Sequence, residues 1–311
     1  MPITARKSEL APALARLREK QAALLYDLAN EIAPAELSGA ELSDAALRRR
    51  FLALTAPVLP DDVAEVNRAR VTADIASLAL SDRLTLCRIL AERAGLAGYG
   101  EDELLSVLLP QEPQEEMSEN RVVYLRSSYS DEAFLRFSRV IPELRADYAS
   151  SFSAVCESVY DGRARLCILP LENDTDGSLS GFRALIARYG LKILHSCDVR
   201  TAEGQSTRFA LLRRSLSTLP TLPSAHPIGR FFRFSLRPCE QASLADLLTA
   251  AERCSLPLYK IDAIPISYTE GDFTFDVTLC AGGDLPTFLV YLLLHLPDFE
   301  PFGLYAHHAE R

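Results

Sequence analysis

The feature that most constrains the fold is a change of pattern near residue 120. From Arg121 to Leu212, short apolar runs alternate with stretches of helical periodicity, and Gly162 and Gly190 end two of the predicted helices. Such alternation is typical of an αβα sandwich with a mostly parallel sheet, because helices that connect parallel strands pack back on the sheet. We therefore predict one α/β lobe over residues 121–215.

The chain before this lobe shows helical patterns and no predicted strand. Apolar residues from Leu10 to Ile32 recur at spacings of three and four, which predicts a long amphipathic helix that Pro34 ends. Further helical patterns cover residues 43–54, 62–80, 82–94 and 102–109. An acidic, proline-bearing stretch at 110–120 is typical of a linker. Residues 1–109 are therefore predicted to form a helical domain.

The chain after the lobe begins with a second predicted linker, at 216–228, which carries three prolines. The pattern over residues 229–311 is β-α-β-β-α-β, the order of a ferredoxin-like domain. The predicted fold class is therefore a multidomain protein of the α/β and α+β classes. It has an N-terminal helical domain, an αβα lobe and a C-terminal ferredoxin-like domain.

Composition narrows the classes of function. The net charge of −9 argues against general affinity for nucleic acid, which requires a basic face. The longest apolar stretch, from Phe288 to Leu296, is too short to cross a bilayer. The seven cysteines form no CxxC pair, and the basic N-terminus has no apolar run after it. We expect a cytoplasmic protein with no membrane segment, no metal and no cofactor.

Three motifs carry a resemblance to a known family. Residues 170–178 read Pro-Leu-Glu-Asn-Asp-Thr-Asp-Gly-Ser, Thr207 begins a Thr-Arg-Phe sequence, and residues 124–133 precede both. In this order they resemble the Pro-Ile-Glu-Asn-Ser-Thr-Glu-Gly-Ser, Thr-Arg-Phe and opening motifs of prephenate dehydratases. Residues 251–253 and 258–261 are similar to the ACT domain that follows in that family. The resemblance covers residues 120–311.

The resemblance implies the decarboxylative dehydration of prephenate to phenylpyruvate, in L-phenylalanine synthesis. Thr207 would assist the leaving hydroxyl, with Asn173 and Thr175 as further hydrogen-bond donors. We expect the loop 170–177 to enter a helix at Ser178, so that free backbone N–H groups face a substrate carboxylate. The implied substrate-binding residues are Ser128, Ser130, Asp176, Gly177, Ser178 and Arg208.

The residue types alone also permit structural roles at these positions. Asn173 and Thr175 are common turn formers, and Thr207 is a common strand residue. The histidines are also expected to have no catalytic role. We expect His195 to be a core residue, and His307 and His308 to be solvated.

The sequence departs from the family at several points. Only residues 199–206 separate the fourth predicted strand from Thr207, where the family has a second α/β lobe. Asp174 stands where the family has Ser or Thr. The phenylalanine-binding motifs of the ACT domain are replaced by residues 241–244 and 262–265.

Three functions follow from these observations. The first is a prephenate dehydratase. The second is a catalytically inactive relative that binds an aromatic metabolite or amino acid and regulates a partner. The third is a structural module built on ACT pairing. The expected ligands are prephenate or a related aromatic carboxylate, and an amino-acid effector at the ACT-like part. We also expect a homo-oligomer, formed through the ACT-like sheets and the helix at Leu10–Ile32.

Overall fold

The computed structural model describes residues 3–32, 78–109, 119–200, 204–216, 219–223, 226–237, 243–265, 273–296 and 299–308. The predicted helix at 43–54, most of that at 62–80, and residues 110–118 of the first linker lie outside the described residues. The chain divides into two compact units. The first combines residues 1–99 with 286–297, and the second combines residues 100–285 with 298–311.

The elements have the following bounds. The helices are α1 (Ile3–Ile32), α2 (Leu80–Arg93), α3 (Glu101–Leu108), α4 (Ser128–Ser138), α5 (Phe152–Tyr160), α6 (Ser180–Arg188), α7 (Leu244–Arg253) and α8 (Leu285–His295). The strands are β1 (Arg121–Leu125), β2 (Arg145–Ala149), β3 (Leu166–Asn173), β4 (Gly177–Ser178), β5 (Lys192–Arg200), β6 (Ser206–Arg213), β7 (Gly229–Leu236), β8 (Leu258–Pro265), β9 (Phe273–Cys280) and β10 (Glu300–His308).

The first unit is helical in its described part. Helix α1 extends the predicted helix to Ile3, and its Gln21 donates a 2.6 Å hydrogen bond to Asp82 of α2. Helix α8 is apolar and buried on all sides, with Phe288 and Tyr291 at 0% exposure, as its nearly uninterrupted apolar sequence requires. Within the described residues, no helix is long and apolar enough to span a membrane.

The described strands form one mixed sheet in the second unit. Its order is β2-β1-β3-β6-β5-β10-β7-β9-β8, and β4 pairs with β3. Strands β1, β2 and β3 are parallel, β6 is antiparallel to both β3 and β5, and β10 is parallel to β5. The C-terminal strands therefore continue the sheet of the lobe through the β5–β10 pair.

The lobe strands are covered on both faces. Helices α5 and α6 contribute Val155, Val159 and Ile186 to one apolar cluster. Helix α4 contributes Ala133 and Phe137 to a second cluster, which contains the alternate residues of the same strands. Residues 121–213 are thus a mixed α/β segment with helices on both faces of the sheet, as the strand–helix alternation predicted. The sheet is mixed rather than mostly parallel, because β6 follows β5 directly and runs antiparallel to both β5 and β3.

The C-terminal strands are arranged as β10-β7-β9-β8, with every neighbouring pair antiparallel. Counted along the chain, this order is fourth, first, third and second within the β-α-β-β-α-β segment. Ser243 begins helix α7 by accepting a 3.0 Å hydrogen bond from the backbone N–H of Asp246. The interpretation of this segment as an ACT-type domain stays a prediction.

The sheet is strongly curved. Strand β8 is six strand positions from β3, which on a flat sheet would separate them by about 29 Å. The Lys260 ammonium of β8 nevertheless lies 3.2 Å from a carboxylate oxygen of Glu172 in β3. The curvature therefore brings the C-terminal edge strand back over the end of β3, on the concave face of the sheet.

Candidate functional site

The motif at residues 170–178 forms the end of a strand and a tight hairpin. Strand β3 continues to Asn173, which pairs with Gly177. The Asn173 carboxamide accepts a hydrogen bond from the Asp176 N–H at 2.5 Å and donates one to the Asp176 carboxylate at 2.9 Å. Gly177 has a φ of +68°, which few other residues adopt readily. Asn173 thus stabilises the turn with its own side chain.

The predicted start of the following helix is wrong by two residues. Gly177 and Ser178 form β4, and α6 begins at Ser180. The N–H of Asp176 is bonded to Asn173, and Gly177 and Ser178 pair with β3. These groups were expected to face a substrate anion from a helix N-terminus. They instead close the hairpin, because the strand outcompetes the helix at these positions.

Asn173 and Thr207 are brought together. They are direct partners in the β3–β6 ladder, so their side chains share one face of the sheet. Val199, the partner of Thr207 in β5, belongs to the apolar cluster under α4, which identifies this face as the one that α4 covers. Thr175 is exposed at the tip of the hairpin.

The opening motif forms the N-terminus of α4. Ser127 and Ser130 form a capping box, in which each side chain binds the backbone N–H of the other, at 3.1 and 2.9 Å. The Ser130 hydroxyl also donates to the Leu125 carbonyl at 2.7 Å, whereas Ser128 is exposed. Because β1 and β3 are parallel, this helix start and Asn173 lie toward the same end of the sheet.

Arg208 faces the opposite side of the sheet from Thr207. Its guanidinium binds Asp198 through two bonds, Nε to Oδ1 at 2.8 Å and Nη2 to Oδ2 at 3.3 Å. Nη1 lies 3.6 Å from Glu172 and 3.3 Å from the Tyr259 hydroxyl. Since successive residues of a strand point to opposite faces, Thr207 and Arg208 do not share one site.

Arg208 belongs to a larger set of charged side chains on the concave face, here called the ion network. Glu172 lies within 4 Å of Lys260 and Arg233, and Asp276 within 4 Å of Arg233 and Arg183. The network contains four carboxylates and four cations: Glu172, Asp198, Asp262, Asp276, Arg183, Arg208, Arg233 and Lys260. Its formal charges therefore balance without a ligand.

The implied substrate residue Ser178 is also part of this face. Its hydroxyl donates to Asp262 at 2.6 Å and accepts from Lys260 at 2.7 Å. A cavity beside Ser178, Arg183 and Arg233 measures about 10 Å³, which is room for one water molecule. In the described part of the chain, no group of three or more His, Cys, Asp or Glu is arranged to hold a metal ion.

The Arg208–Asp198 pair is held in its charged form. Burial alone would raise the pKa of Asp198, but hydrogen bonds from His307 and Arg208 outweigh burial and hold that pKa well below its usual range. For Arg208, burial opposes the charge, and the contacts with Asp198 and Tyr259 more than compensate, so that its pKa is raised. Both groups therefore stay ionised at any physiological pH.

The C-terminal histidines are buried rather than solvated. His307 and His308 are 6% and 9% exposed, so the expectation of solvated side chains is wrong. The reason is that β10 is an interior strand, paired with both β5 and β7, rather than an edge. His307 lies 3.3 Å from Asp198 on one face, and His308 lies 3.1 Å from His195 on the other. His195 is a buried residue, as predicted.

Most of the ion network was missed from the sequence. A signal was present, because Arg233 and Asp276 each interrupt an apolar run in a strand. A charge at such a position needs an opposite charge nearby. The sequence does not reveal which residue provides it, since the partners come from strands that are distant along the chain.

The fold and the site together define a mixed α/β protein whose three motifs converge on neighbouring strands and the first helix of the lobe. Residues 125–200 match the sequence model of the family described as prephenate dehydratase. This match confirms the resemblance at the level of the family. A search of curated proteins gives no match.

Several solved structures are similar to this chain. The prephenate dehydratase from Streptococcus mutans has 17% identity and a TM-score of 0.51, and the match covers 60% of this chain and 98% of that one. GqqA, described as a novel type of quorum quenching acylase, has 22% identity and a TM-score of 0.47, over 61% and 96% of the two chains. The prephenate dehydratase from Arthrobacter aurescens in complex with L-Phe has 13% identity and a TM-score of 0.44, over 60% and 90%. The first of these shows a shared fold.

Proposed function

We propose that this chain is a prephenate dehydratase relative that binds an aromatic carboxylate without converting prephenate, and that regulates a partner through its C-terminal segment. One observation carries the proposal. Arg208, the cation that the resemblance assigns to a substrate carboxylate, is paired with Asp198 on the face opposite to Thr207. The groups needed to hold and to activate a dianionic substrate are therefore on different sides of the sheet.

Recruiting Arg208 to a substrate would be costly. Each hydrogen bond to a charged group contributes about 1.5–3 kcal/mol, and leaving a half-buried Asp198 without its cation adds a desolvation cost. Asp174 adds a second obstacle beside Asn173 and Thr207. Its carboxylate accepts the Ser206 N–H at 2.8 Å and would repel a dianion.

The ligand class and the regulatory role rest on the family relationship and on the C-terminal topology. Members of the family act on prephenate, whose ring and carboxylates define an aromatic carboxylate ligand. The antiparallel strand order of the β-α-β-β-α-β segment is compatible with an ACT-type effector domain and a bound amino acid. The described cysteines are free, which favours a cytoplasmic protein.

The test is an assay of the pure full-length protein. Prephenate is incubated with the chain and phenylpyruvate is followed, while calorimetry measures the binding of phenylpyruvate and L-phenylalanine. We expect no product above the spontaneous reaction, together with measurable binding of at least one of the two. Catalysed phenylpyruvate formation would refute the proposal. If neither product nor binding is detected, the structural module is the remaining function.

A second candidate function, the dehydratase itself, is favoured by one arrangement. Asn173 and Thr207 are cross-strand neighbours on the face covered by α4. If the chain turns over prephenate, Thr207→Ala and Asn173→Ala should each slow the reaction by about 10²–10³, as expected for the loss of one positioned donor. Thr85→Ala is the matched control, because Thr85 is an exposed residue of α2.

A further inference from the structure

A second cavity lies away from the ion network. It has a volume of about 330 Å³ and is lined by the start of β5, by β10 and by parts of the segment 216–227. Its apolar wall includes Leu194, Leu216, Leu219 and Leu304. This volume falls in the range of small-molecule sites.

The cavity is also separate from the Asn173–Thr207 pair. Leu194 and Leu219 belong to the apolar cluster under α4, so the cavity opens on the face opposite to the ion network. His195 precedes Val199, the partner of Thr207, by four strand residues. At about 3.3 Å per residue, the cavity is about 13 Å from the motif along β5.

The charged side chains that line the cavity are both cations. Lys192, Arg230 and the histidines His195 and His308 line it, and among the described lining residues none is acidic. The Lys192 ammonium donates to the Pro301 carbonyl at 2.8 Å, which uses one of its three N–H bonds. Burial lowers the pKa of Lys192, with the nearby Glu300 opposing this effect. An anion beside this ammonium would therefore offset the desolvation cost of its buried charge.

Two carboxylates outside the lining partly balance these cations. Glu300 is close to Lys192, and Glu101 of α3 lies 3.8 Å from the Arg230 guanidinium. The contact between Arg230 and Glu101 is long, and both side chains are about one-third exposed. This ion pair therefore contributes little to stability. The two charged residues of the described lining itself are nevertheless both cations, so a ligand carboxylate in the cavity would meet them directly.

The two histidines together add one hydrogen-bond donor and one acceptor. His195 Nδ1 and His308 Nε2 are 3.1 Å apart, so one ring donates to the other. Burial lowers the pKa of His195 to about 3 and that of His308 to about 4, and both rings are neutral at pH 7. In either direction of the bond, one of the two remaining ring nitrogens carries a proton and the other accepts one.

We propose that this cavity binds a small carboxylate with an aromatic body, its carboxylate on Lys192 and Arg230 and its ring against the leucine wall. The aromatic part of the ligand rests on the proposed function. The cavity gives that function a binding site remote from the motif at residues 170–178. The described lining residues 219–221 adjoin Leu222, whose N–H donates to the Val140 carbonyl, and Pro227 precedes Ile228, whose N–H donates to the His307 carbonyl.

The test uses calorimetry on the full-length protein at pH 7, with 3-phenylpropionate as the probe and its neutral amide as the matched ligand. We expect the carboxylate to bind at least about tenfold more tightly than the amide. Lys192→Met, which keeps the apolar stem, should weaken carboxylate binding by about 10–100-fold, the effect of one charge-assisted hydrogen bond. Lys20→Met, at an exposed position of α1, should leave the affinity unchanged.

Two further measurements protect the test against misfolding. Ala306→Phe fills the cavity from β10 and should abolish binding, with circular dichroism verifying the fold. Hydrogen exchange of the unaltered protein should show ligand-induced protection in the segment 216–227.

If Thr207→Ala weakens binding and Lys192→Met does not, the ligand binds at the motif, and this inference fails while the proposed function stands. If the unaltered protein catalyses phenylpyruvate formation and Lys192→Met loses ligand binding, the proposed function fails and this inference stands.

Discussion

At the scale of single residues, the concave face shows which partners the motif residues of this chain contact. The resemblance assigns Ser178 and Arg208 to substrate binding, and Glu172 belongs to the same loop motif as Ser178. In this chain, each of them contacts a partner from β5 or β8. Because these partners satisfy their charges and hydrogen bonds, the motif residues hold the curved sheet together.

The fork geometry of Arg208 gives a stability prediction. Arg208→Lys keeps the charge but cannot make two parallel bonds to Asp198, so we expect the free energy of unfolding to fall by about 1–2 kcal/mol. Arg163→Lys is the control, because Arg163 is 62% exposed and makes a surface pair with Asp161. Its expected effect is below about 0.5 kcal/mol. Urea unfolding measures both, and equal effects would contradict the structural role of Arg208.

The buried histidine pair predicts acid sensitivity. The folded-state pKa values of His195 and His308 are lowered to about 3 and about 4, so between those values and about 6.5 the unfolded chain binds more protons. Stability therefore rises with pH in this window and falls on acidification, by up to about 1.4 kcal/mol per pH unit for each histidine.

The measurement is the thermal midpoint between pH 7 and pH 4. The midpoint should drop steadily on acidification, and His195→Phe should make the decline shallower. A variant with the same slope as the unaltered protein would show that this pair does not control the acid response.

At the scale of elements, the joint between the lobe and the C-terminal strands depends on Gly303 in β10. Its φ is +144°, and a Cβ at this position would lie 2.4 Å from the Ile193 carbonyl oxygen of β5. Only a residue without a side chain permits the two backbones to approach this closely. The parallel pairing of Ala306 with His195 follows directly after this contact.

Gly303→Ala should therefore destabilise the protein by more than about 2 kcal/mol, through the clash and the unfavourable φ together. Gly181→Ala in α6 is the matched control, since its Cβ would meet no atom within 4 Å and alanine favours a helix. We expect Gly181→Ala to be neutral or stabilising by up to about 1 kcal/mol. Chemical denaturation of the two variants decides the question, and a neutral Gly303→Ala would contradict the described β5–β10 contact.

At the scale of the whole molecule, the sheet has two edges, β2 and β8. Exposed apolar side chains accompany the β8 edge, where Leu258 and Tyr259 are 44% and 46% exposed. Helix α1 also carries exposed apolar residues, with Leu17 at 61% and Leu24 at 68%. Unpaired edges and exposed apolar residues of this kind favour association with a second copy.

We predict a homodimer or a higher oligomer in sedimentation velocity at micromolar concentration. Leu258→Lys should weaken the association if the β8 edge carries it, and Leu24→Lys should do so if α1 carries it. Arg163→Lys, at a polar surface position, should leave the assembly unchanged. A monomer at micromolar concentration for the unaltered chain would refute the prediction.

The sequence by itself determined most of the described elements, because local signals specify them: the period of the apolar residues, the capping serines, and the glycines after α5 and α6. The short strand β4 was missed. It also placed Asn173 near Thr207, since the strands that carry both motifs were apparent. Only the tertiary structure decided where those motifs point. The curvature of the sheet, the pairing of β10 with β5 and the partners of Arg208 depend on contacts between residues up to 113 positions apart, and no local pattern encodes them. The side of the sheet on which each charge lies is therefore a property of the folded chain.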